Sequence, residues 1–336
     1  MQGKSMLKTG IYLFLFVFLS MTGCNKFKGD QEVPAYIRID SINISSLLPT
    51  NAAGFTLSHN IIDAWITVNG RSLGCYQLPV KYIPVLERGE QKVLIQAGIR
   101  ANNLSLRRGI YPFYSGVEFT VNFVEDSVIN VTLKEDGTMQ TAVAIRASNK
   151  YPLGNENFER GNNNHIFDTV PTYSSVLLKT FNVPNEKVPH PIYPTNQDSS
   201  IFTPKRLHEE HVGVIHLTKS DSCCCIMTKE ACSKEQGTEL PYNKPVFIEI
   251  DYLTNNIFEV GIVSTLNGRP YIHPVVIVGS QSQKNPQWSK IYADISNAVT
   301  AQIYDGADNF KILIRAYLEE NNDEAYIYLD NIRLVH

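Results

Sequence analysis

The sequence predicts an all-β protein built from two successive folded units. Apolar and polar residues alternate with period two in nearly every periodic segment, and these segments are rich in β-branched and aromatic residues. Asn-Gly pairs at 69–70 and 267–268 each separate two such segments. Asn-Gly supplies the positive φ angles of a two-residue hairpin. The length of 336 residues also favours two domains.

The composition excludes several classes of protein. The chain is 43% hydrophobic, which is ample for packed cores and argues against wholesale disorder. Its net charge is −3 and its Lys and Arg residues form no runs, so we expect no nucleic-acid partner. The sequence has no Gly-x-Ser-x-Gly elbow, no phosphate-binding loop and no Gly-x-Gly-x-x-Gly after a strand. We therefore expect no catalytic residues and no enzyme activity.

Residues 1–23 have the form of a signal peptide. Two lysines precede nine consecutive apolar residues, Ile11 to Leu19, whereas a membrane-spanning helix needs about 20. The following Met21-Thr-Gly-Cys24 resembles the lipobox of bacterial lipoproteins. The resemblance implies that Cys24 is lipidated and anchors the chain to a membrane of the bacterial cell envelope, expected to be the outer membrane. An ordinary secretory signal is the alternative.

The rest of the chain divides at changes in composition. We expect a polar tether, 24–33, a first unit, 34–146, a linker, 147–156, and a second unit, 157–336. Residues 33–146 carry 10 basic and 9 acidic side chains, whereas residues 151–336 carry 15 basic and 22 acidic ones. The formal charge therefore changes from +1 to −7 across the linker, which supports two separately folded units.

The strand pattern of the first unit is typical of an immunoglobulin-like β-sandwich. Its predicted strands are Tyr36–Ile42, Ala64–Val68, Lys92–Gln96, Val117–Phe123 and Ser127–Leu133. Several short strands over about 110 residues, separated by turn residues, characterise this fold. We expect Trp65 to pack in its core.

The second unit is also β-rich. Its predicted strands are Val176–Phe181, Val212–Leu217, Val246–Tyr252, Phe258–Ser264, Tyr271–Val278 and Phe310–Tyr317, and one short helix is expected within 293–303. Near the C-terminus, Ile327 and Leu329 are apolar at odd positions, whereas Ile332 and Leu334 are apolar at even ones. A continuous strand would place these pairs on opposite faces. We therefore predict a bulge at Asp330-Asn331.

The two ends of the second unit carry short motifs of a known family. Asn157-Phe-Glu-Arg-Gly-Asn162 opens the unit and Tyr328–Val335 closes it. This bracketing resembles the galactose-binding-like jelly rolls that include many carbohydrate-binding modules. The resemblance implies a β-sandwich jelly roll with a structural Ca²⁺ near the paired first and last strands. Glu159 and Asp330 match acidic positions that help to ligate it, and no other cofactor is expected.

The whole chain also resembles an uncharacterised group of two-domain envelope lipoproteins. The shared segments include Ala64–Gly70 in the first unit, and Glu249–Tyr252 and Trp288–Tyr292 in the second. This resemblance implies the two-domain architecture, and it implies no particular chemistry.

Five cysteines remain besides Cys24, which is an odd number. Cys223, Cys224 and Cys225 are consecutive and Cys232 follows closely. In an oxidising compartment a local disulfide between Cys225 and Cys232 is a reasonable expectation. Unpaired thiols are an alternative. A zinc site with the nearby histidines is another, although its spacing matches no familiar zinc motif.

The first functional hypothesis is glycan binding through the second unit. Phe247, Glu249 and Asp251 share one face of a predicted strand, and an aromatic ring beside two acids suits a sugar ring. Further candidate ligand contacts are Trp288 and, on the proline-rich segment 184–207, Tyr193 and Phe202. The alternative hypothesis is a structural or assembly lipoprotein that docks another envelope protein and binds no small ligand.

Overall fold

The computed structural model describes most of both units. The described residues are 32–45, 58–131, 142–144, 155–160, 165–182, 211–281 and 287–336. The predicted signal peptide, Cys24 and most of the tether lie outside them, as do Tyr193 and Phe202. Within these ranges no helix has both the length and the hydropathy needed to cross a membrane.

The first unit is a β-sandwich. Its described strands are β1 (Ala35–Ile39), β2 (Asn43–Ser45), β3 (Asp63–Val68), β4 (Arg71–Gln77), β5 (Val80–Val85), β6 (Gly89–Arg100), β7 (Arg108–Ile110), β8 (Val117–Phe123), β9 (Val128–Val131) and β10 (Ala142–Ala144). One sheet has the order β4-β3-β6-β7, with β8 also paired to β6. A second sheet has the order β5-β1-β9, and β2 pairs with β10.

Side-chain alternation explains how these sheets pack. Ala64, Ile66 and Val68 of β3 are all buried in the first unit's core, because alternate residues of a strand share a face. Asn69 and Gly70 have φ angles of 47° and 79°, so the predicted Asn-Gly hairpin joins β3 to β4 as expected.

The second unit consists of two large antiparallel sheets with one short helix. Its strands are β11 (Asn155–Glu156), β12 (Phe167–Thr169), β13 (Lys179–Asn182), β14 (His211–Thr218), β15 (Cys223–Thr228), β16 (Cys232–Ser233), β17 (Phe247–Thr254), β18 (Phe258–Leu266), β19 (Arg269–Val278), β20 (Ser289–Asp294), β21 (Asn309–Tyr317) and β22 (Glu324–Val335). Helix α1 (Ser296–Tyr304) connects β20 to β21, and Pro171–Tyr173 form a single 3-10 turn.

The two sheets enclose the core of the second unit. Sheet I has the order β13-β14-β22-β17-β20, with β11 also paired to β22. Sheet II has the order β12-β15-β21-β18-β19, with β16 also paired to β21. Buried Ile248 and Ile250 of sheet I and Ile312 and Ile314 of sheet II belong to one hydrophobic cluster. The all-β class and the sandwich architecture are thus confirmed.

The bulge predicted in the last strand is also present. The register of β17 against β22 shifts between Glu249, which faces Arg333, and Asp251, which faces Asp330. Two residues of β22, Asn331 and Ile332, therefore lie opposite the single residue Ile250 of β17. The φ angle of Asn331 is 49°. Because of this bulge, the apolar residues on both sides of it reach the same core.

Three local features differ from the sequence expectations. Asn155 and Glu156, in the predicted linker, form β11 and pair with β22. Strand β15 was not predicted, because its run of cysteines lacks β-branched and aromatic residues. The helix begins at Ser296 because Ala293 and Asp294 still belong to β20. The Asp294 carboxylate then accepts a hydrogen bond from the backbone N–H of Ser296 at 3.0 Å.

Candidate functional site

The ligand-binding row predicted on β17 lies at the contact between the two units. Phe247, Glu249 and Asp251 share the face of sheet I that points away from the second unit's core, as their alternation indicates. Phe247 packs edge-on against Tyr111 and Phe113 of the first unit. The three side chains of the row are only 7%, 2% and 3% exposed. The row predicted to face a sugar is therefore covered by protein.

Glu249 is the centre of a buried ion-pair network. Its Oε2 accepts hydrogen bonds from Nε and Nη2 of Arg333 at 2.8 and 2.5 Å. Nζ of Lys290 lies 3.4 Å from the same oxygen, and Tyr111 donates its phenolic hydrogen to Oε1 at 2.5 Å. Burial alone raises the pKa of Glu249, but the two cations and the hydrogen bonds outweigh burial and hold the pKa below its ordinary value. The carboxylate is therefore ionised, and both of its oxygens already have partners in Arg333, Lys290 and Tyr111.

Lys290 extends this network to Asp251. Its Nζ lies 2.9 Å from Oδ1 of Asp251, and Oδ2 of Asp251 accepts a hydrogen bond from Asn331 at 2.9 Å. Glu249 and Asp251 are thus each paired with a cation in a buried environment, which is the condition under which buried charges are tolerated. These contacts give Asp251 and Glu249 a structural role at the contact between the units.

Aromatic rings surround the network. The ring centroid of Tyr111 lies 4.6 Å from that of Tyr114 and 4.8 Å from that of Tyr292. The hydroxyl of Tyr292 also accepts a hydrogen bond from the backbone N–H of Asn60 at 3.0 Å. Phe247, Tyr292 and Val335 of the second unit belong to the first unit's hydrophobic cluster. The two units thus share one continuous core.

The other predicted ligand contacts have different outcomes. Trp288 is 5% exposed and packs with Phe181, Leu253 and Tyr328 on the outward face of sheet I. The expectation of a ligand-stacking Trp288 is corrected, because its ring is buried in protein. Tyr193 and Phe202 lie outside the described residues, so their role stays a prediction.

The two residues predicted to ligate calcium have protein partners. Glu159 accepts a hydrogen bond from the backbone N–H of His211 at 2.7 Å, and its other oxygen lies 2.9 Å from Nδ1 of that ring. Asp330 accepts from the backbone N–H of Asn331 at 2.7 Å. Among the described residues, no three His, Cys, Asp or Glu are grouped so as to hold a metal ion. The structural calcium stays a prediction, and a calcium titration followed by thermal melting tests it.

Cys225 and Cys232 are free thiols. Cys225 packs with Val263 and Leu313 on the outward face of sheet II, whereas Cys232 lies in the core between the two sheets. Because the two side chains lie on opposite faces of one sheet, the expected disulfide between them is corrected. Burial raises the pKa of Cys232 to about 12, so this thiol is protonated at neutral pH.

A different surface of the second unit is open to solvent. The core-facing residues of β21 are Phe310, Ile312 and Ile314. Arg315 and Tyr317 therefore point outward. We name this surface the sheet II face. It consists of Arg315 and Tyr317 on β21, Glu259 on β18, and Ile272 and Ile277 on β19. Tyr317 and Ile277 are 57% and 71% exposed.

Arg315 and Glu259 form the polar centre of the sheet II face. They lie opposite each other on neighbouring strands, and Nε of Arg315 is 2.5 Å from Oε2 of Glu259. The hydrogen bond to Glu259 raises the pKa of Arg315 above its ordinary value, and Tyr317 adds to this effect. An exposed aromatic ring thus adjoins a guanidinium and a carboxylate.

This arrangement has the chemistry of a sugar-binding surface. An aromatic ring packs against the C–H face of a sugar, while Arg and Glu donate to and accept from its hydroxyls. These residues are not among those predicted from the sequence, although the sequence contains a signal for them. In the predicted strand Phe310–Tyr317, the alternation that buries the even residues also places Arg315 and Tyr317 on one outward face.

No protein-family model matches this chain. No curated protein matches it either.

Similar solved structures include several carbohydrate-binding modules. One is a module of the β-sandwich superfamily, with 10% identity, coverage of 82% of this chain and 86% of that chain, and a TM-score of 0.33. Another is the tandem CBM22 domain of Xyn10C from Paenibacillus barcinonensis, with 10% identity, coverage of 84% and 75%, and a TM-score of 0.33. A third is TmCBM61 in complex with β-1,4-galactotriose, with 12% identity, coverage of 55% and 97%, and a TM-score of 0.27. At these scores the similarities carry no argument about function.

Proposed function

We propose that this chain is a lipid-anchored, non-catalytic protein of the bacterial cell envelope that binds glycan through the sheet II face. The observation that carries the binding proposal is the pairing of exposed Tyr317 with the Arg315–Glu259 ion pair on one sheet surface. The lipid anchor is supported by the lipobox-like segment that ends at Cys24. The proposal needs no cofactor.

The physical basis is a combination of apolar contact and polar selectivity. Tyr317 offers a large ring at low conformational cost, and Ile277, which lies opposite Glu259, adds an exposed apolar side chain to the same surface. The strands fix the positions of Arg315 and Glu259, so their hydrogen-bonding groups are preorganised. Such a surface binds ligand without a nucleophile or a general base.

A glycan-array screen of the chain without residues 1–24, with and without calcium, tests this proposal. Specific retention should fall at least tenfold in Tyr317→Ala and in Glu259→Gln. Tyr304→Ala is the matched control, since Tyr304 lies on helix α1 and is 81% exposed. Retention that survives both face variants would place the glycan site elsewhere. A blank array in both conditions would overturn glycan binding.

A second candidate function is the docking of another envelope protein. The specific observation in its favour is that Ile272 and Ile277, which are 41% and 71% exposed, both lie on the outward face of β19. Exposed apolar side chains of this kind suit a protein interface. A stoichiometric partner recovered from solubilised envelopes, and lost in Ile277→Ser, would favour docking over glycan binding.

A further inference from the structure

The outward face of the first unit carries a second cluster of aromatic and charged side chains. In β3, Ala64 and Ile66 point into the core, so Asp63 and Trp65 point to the other side of the sheet. Trp65 is only half-buried and is not part of the hydrophobic core. The expectation that Trp65 packs in the core is therefore corrected.

Gly98 on β6 makes room for the Trp65 indole. A Cβ atom added at Gly98 would lie 3.0 Å from both Cδ1 and Nε1 of Trp65, and 2.7 Å from Cβ of Asp63. The indole therefore leans over the backbone of β6 at Gly98, and Arg100 is the next residue on that face. Same-face neighbours on a strand are about 7 Å apart.

Two arginines meet at this position. Arg100 on β6 lies directly opposite Arg108 on β7, and directly opposed like charges are unfavourable unless a counter-charge is present. Asp63 supplies one for Arg108, whose Nε donates to it at 2.8 Å and whose Nη2 donates to its other oxygen. Asp63 is fully buried, so its carboxylate is committed to Arg108.

Among the described residues, the positive charge of Arg100 has no acidic partner. Within the part of the chain that the structure describes, no acidic side chain forms an ion pair with it. Its Nε is buried and has no hydrogen-bond partner, and the same is true of Nε1 of Trp65. Among the described residues, the terminal nitrogens of Arg100 have no hydrogen-bond partner and are not buried, so they are open to an acceptor, and the charge favours an anion.

We propose that Trp65, Gly98 and Arg100 form a separate binding site for a sugar that carries a carboxylate, such as a hexuronic acid. The indole packs on the C–H face of the sugar ring, and Arg100 pairs with the carboxylate. Arg108 is positioned beside it and is held by Asp63. The site lies on the first unit, and it does not depend on glycan binding at the sheet II face.

Tryptophan fluorescence of the purified full chain tests this site. The chain has two tryptophans, so Trp288→Phe leaves Trp65 as the single reporter. Titration with a galacturonic acid oligosaccharide should shift or quench its emission. The carboxyl-reduced neutral form of the same oligosaccharide should bind at least tenfold more weakly. Equal responses to both forms would overturn the assignment of a carboxylate ligand.

Isothermal titration of the unmodified chain supplies a second measurement, which remains valid if buried Trp288 does not tolerate substitution. Arg100→Gln should weaken acidic-sugar binding at least tenfold, whereas Arg107→Gln, at an exposed neighbouring position, should leave it unchanged. Tyr304→Ala, on helix α1 of the second unit, should also leave it unchanged. Equal losses in Arg100→Gln and Arg107→Gln, no binding of the acidic sugar, or binding of an acidic peptide in its place would overturn the proposal.

Discussion

Tyr111 of the first unit donates its phenolic hydrogen to Oε1 of Glu249 in the second unit at 2.5 Å, across a sequence separation of 138 residues. Both side chains are buried. Burial, together with the charge of Glu249, raises the pKa of Tyr111 well above its ordinary value. The phenol therefore stays neutral and remains a donor at any physiological pH. This bond joins the aromatic cluster of one unit to the ion-pair network of the other.

Replacing Tyr111 by Phe should destabilise the chain by about 1–3 kcal/mol, because an ionised, buried carboxylate loses a donor while the ring is kept. Urea unfolding followed by circular dichroism measures this change in the free energy of unfolding. Tyr304→Phe is the matched control, since Tyr304 is 81% exposed and should change stability by less than about 0.5 kcal/mol. Equal effects in the two variants would contradict the structural role of the bond.

Replacing Arg333 by Met should cost about 3–5 kcal/mol, because Glu249 would stay buried with Lys290 as the one remaining cation among the described residues. The double variant Arg333→Met/Glu249→Gln should recover a large part of that loss, since it removes the uncompensated charge. A double-mutant cycle in urea measures the coupling between the two sites. Additive losses would show that the two side chains do not interact.

His59 should make stability fall on mild acidification. Burial first, and then the charge of Lys290, lower the pKa of His59 to about 4, while Asp251 opposes this shift. The unfolded chain, with a histidine pKa near 6.5, binds the proton more readily. Stability is therefore complete above about pH 6.5 and decreases as the pH falls towards 4, by on the order of 2 kcal/mol for a partly buried ring.

The variant His59→Gln isolates this effect. Its free energy of unfolding should vary less between pH 7 and about pH 4.5 than that of the unmodified chain. Glu249 acts in a lower window: its lowered pKa means that its contribution is lost only as the pH falls below its ordinary unfolded value of about 4.3. Parallel curves for the two proteins above pH 4.5 would show that His59 does not contribute.

Replacing Gly261 by Ala should destabilise the second unit by more than about 2 kcal/mol. A Cβ at this position would lie 2.5 Å from the backbone oxygen of His273, where the register of β18 and β19 already shifts. A backbone atom cannot move aside as a flexible side chain can. Gly109→Ala is the control, because a Cβ there meets nothing within 4 Å. Thermal melting compares the two variants, and a smaller loss at Gly261 than at Gly109 would contradict this account.

Local patterns in the sequence predicted much of the fold. The alternation in Phe310–Tyr317 gave the strand, and Asn267-Gly268, with φ angles of 52° and 74°, gave a hairpin. The bulge at Asn331 followed from a change of phase in the apolar residues. In each case the information lies within a few neighbouring residues, so pattern reasoning can reach it.

The sites were less predictable because they depend on distant contacts. Alternation placed Phe247, Glu249 and Asp251 on one face correctly, but nothing in their neighbourhood shows that Tyr111 covers that face. Trp65 illustrates the converse: its neighbours Ala64 and Ile66 point into the core, and the same period-two rule places Trp65 outside. The parallel pairing of β1 with β9 likewise joins segments far apart in the chain.

The bulge at Asn331 has a consequence for how the two halves of the molecule are joined. Beyond it, Ile332 and Leu334 continue to fill the second unit, which leaves Arg333 to meet Glu249 and Val335 to enter the first unit's hydrophobic cluster. If this strand were one residue shorter, Ile332 and Leu334 would face the first unit, and Arg333 and Val335 would face the core of the second unit. The connection between the units therefore depends on the number of residues in this strand as much as on their chemical identity, and single-residue deletions there should be more damaging than most substitutions.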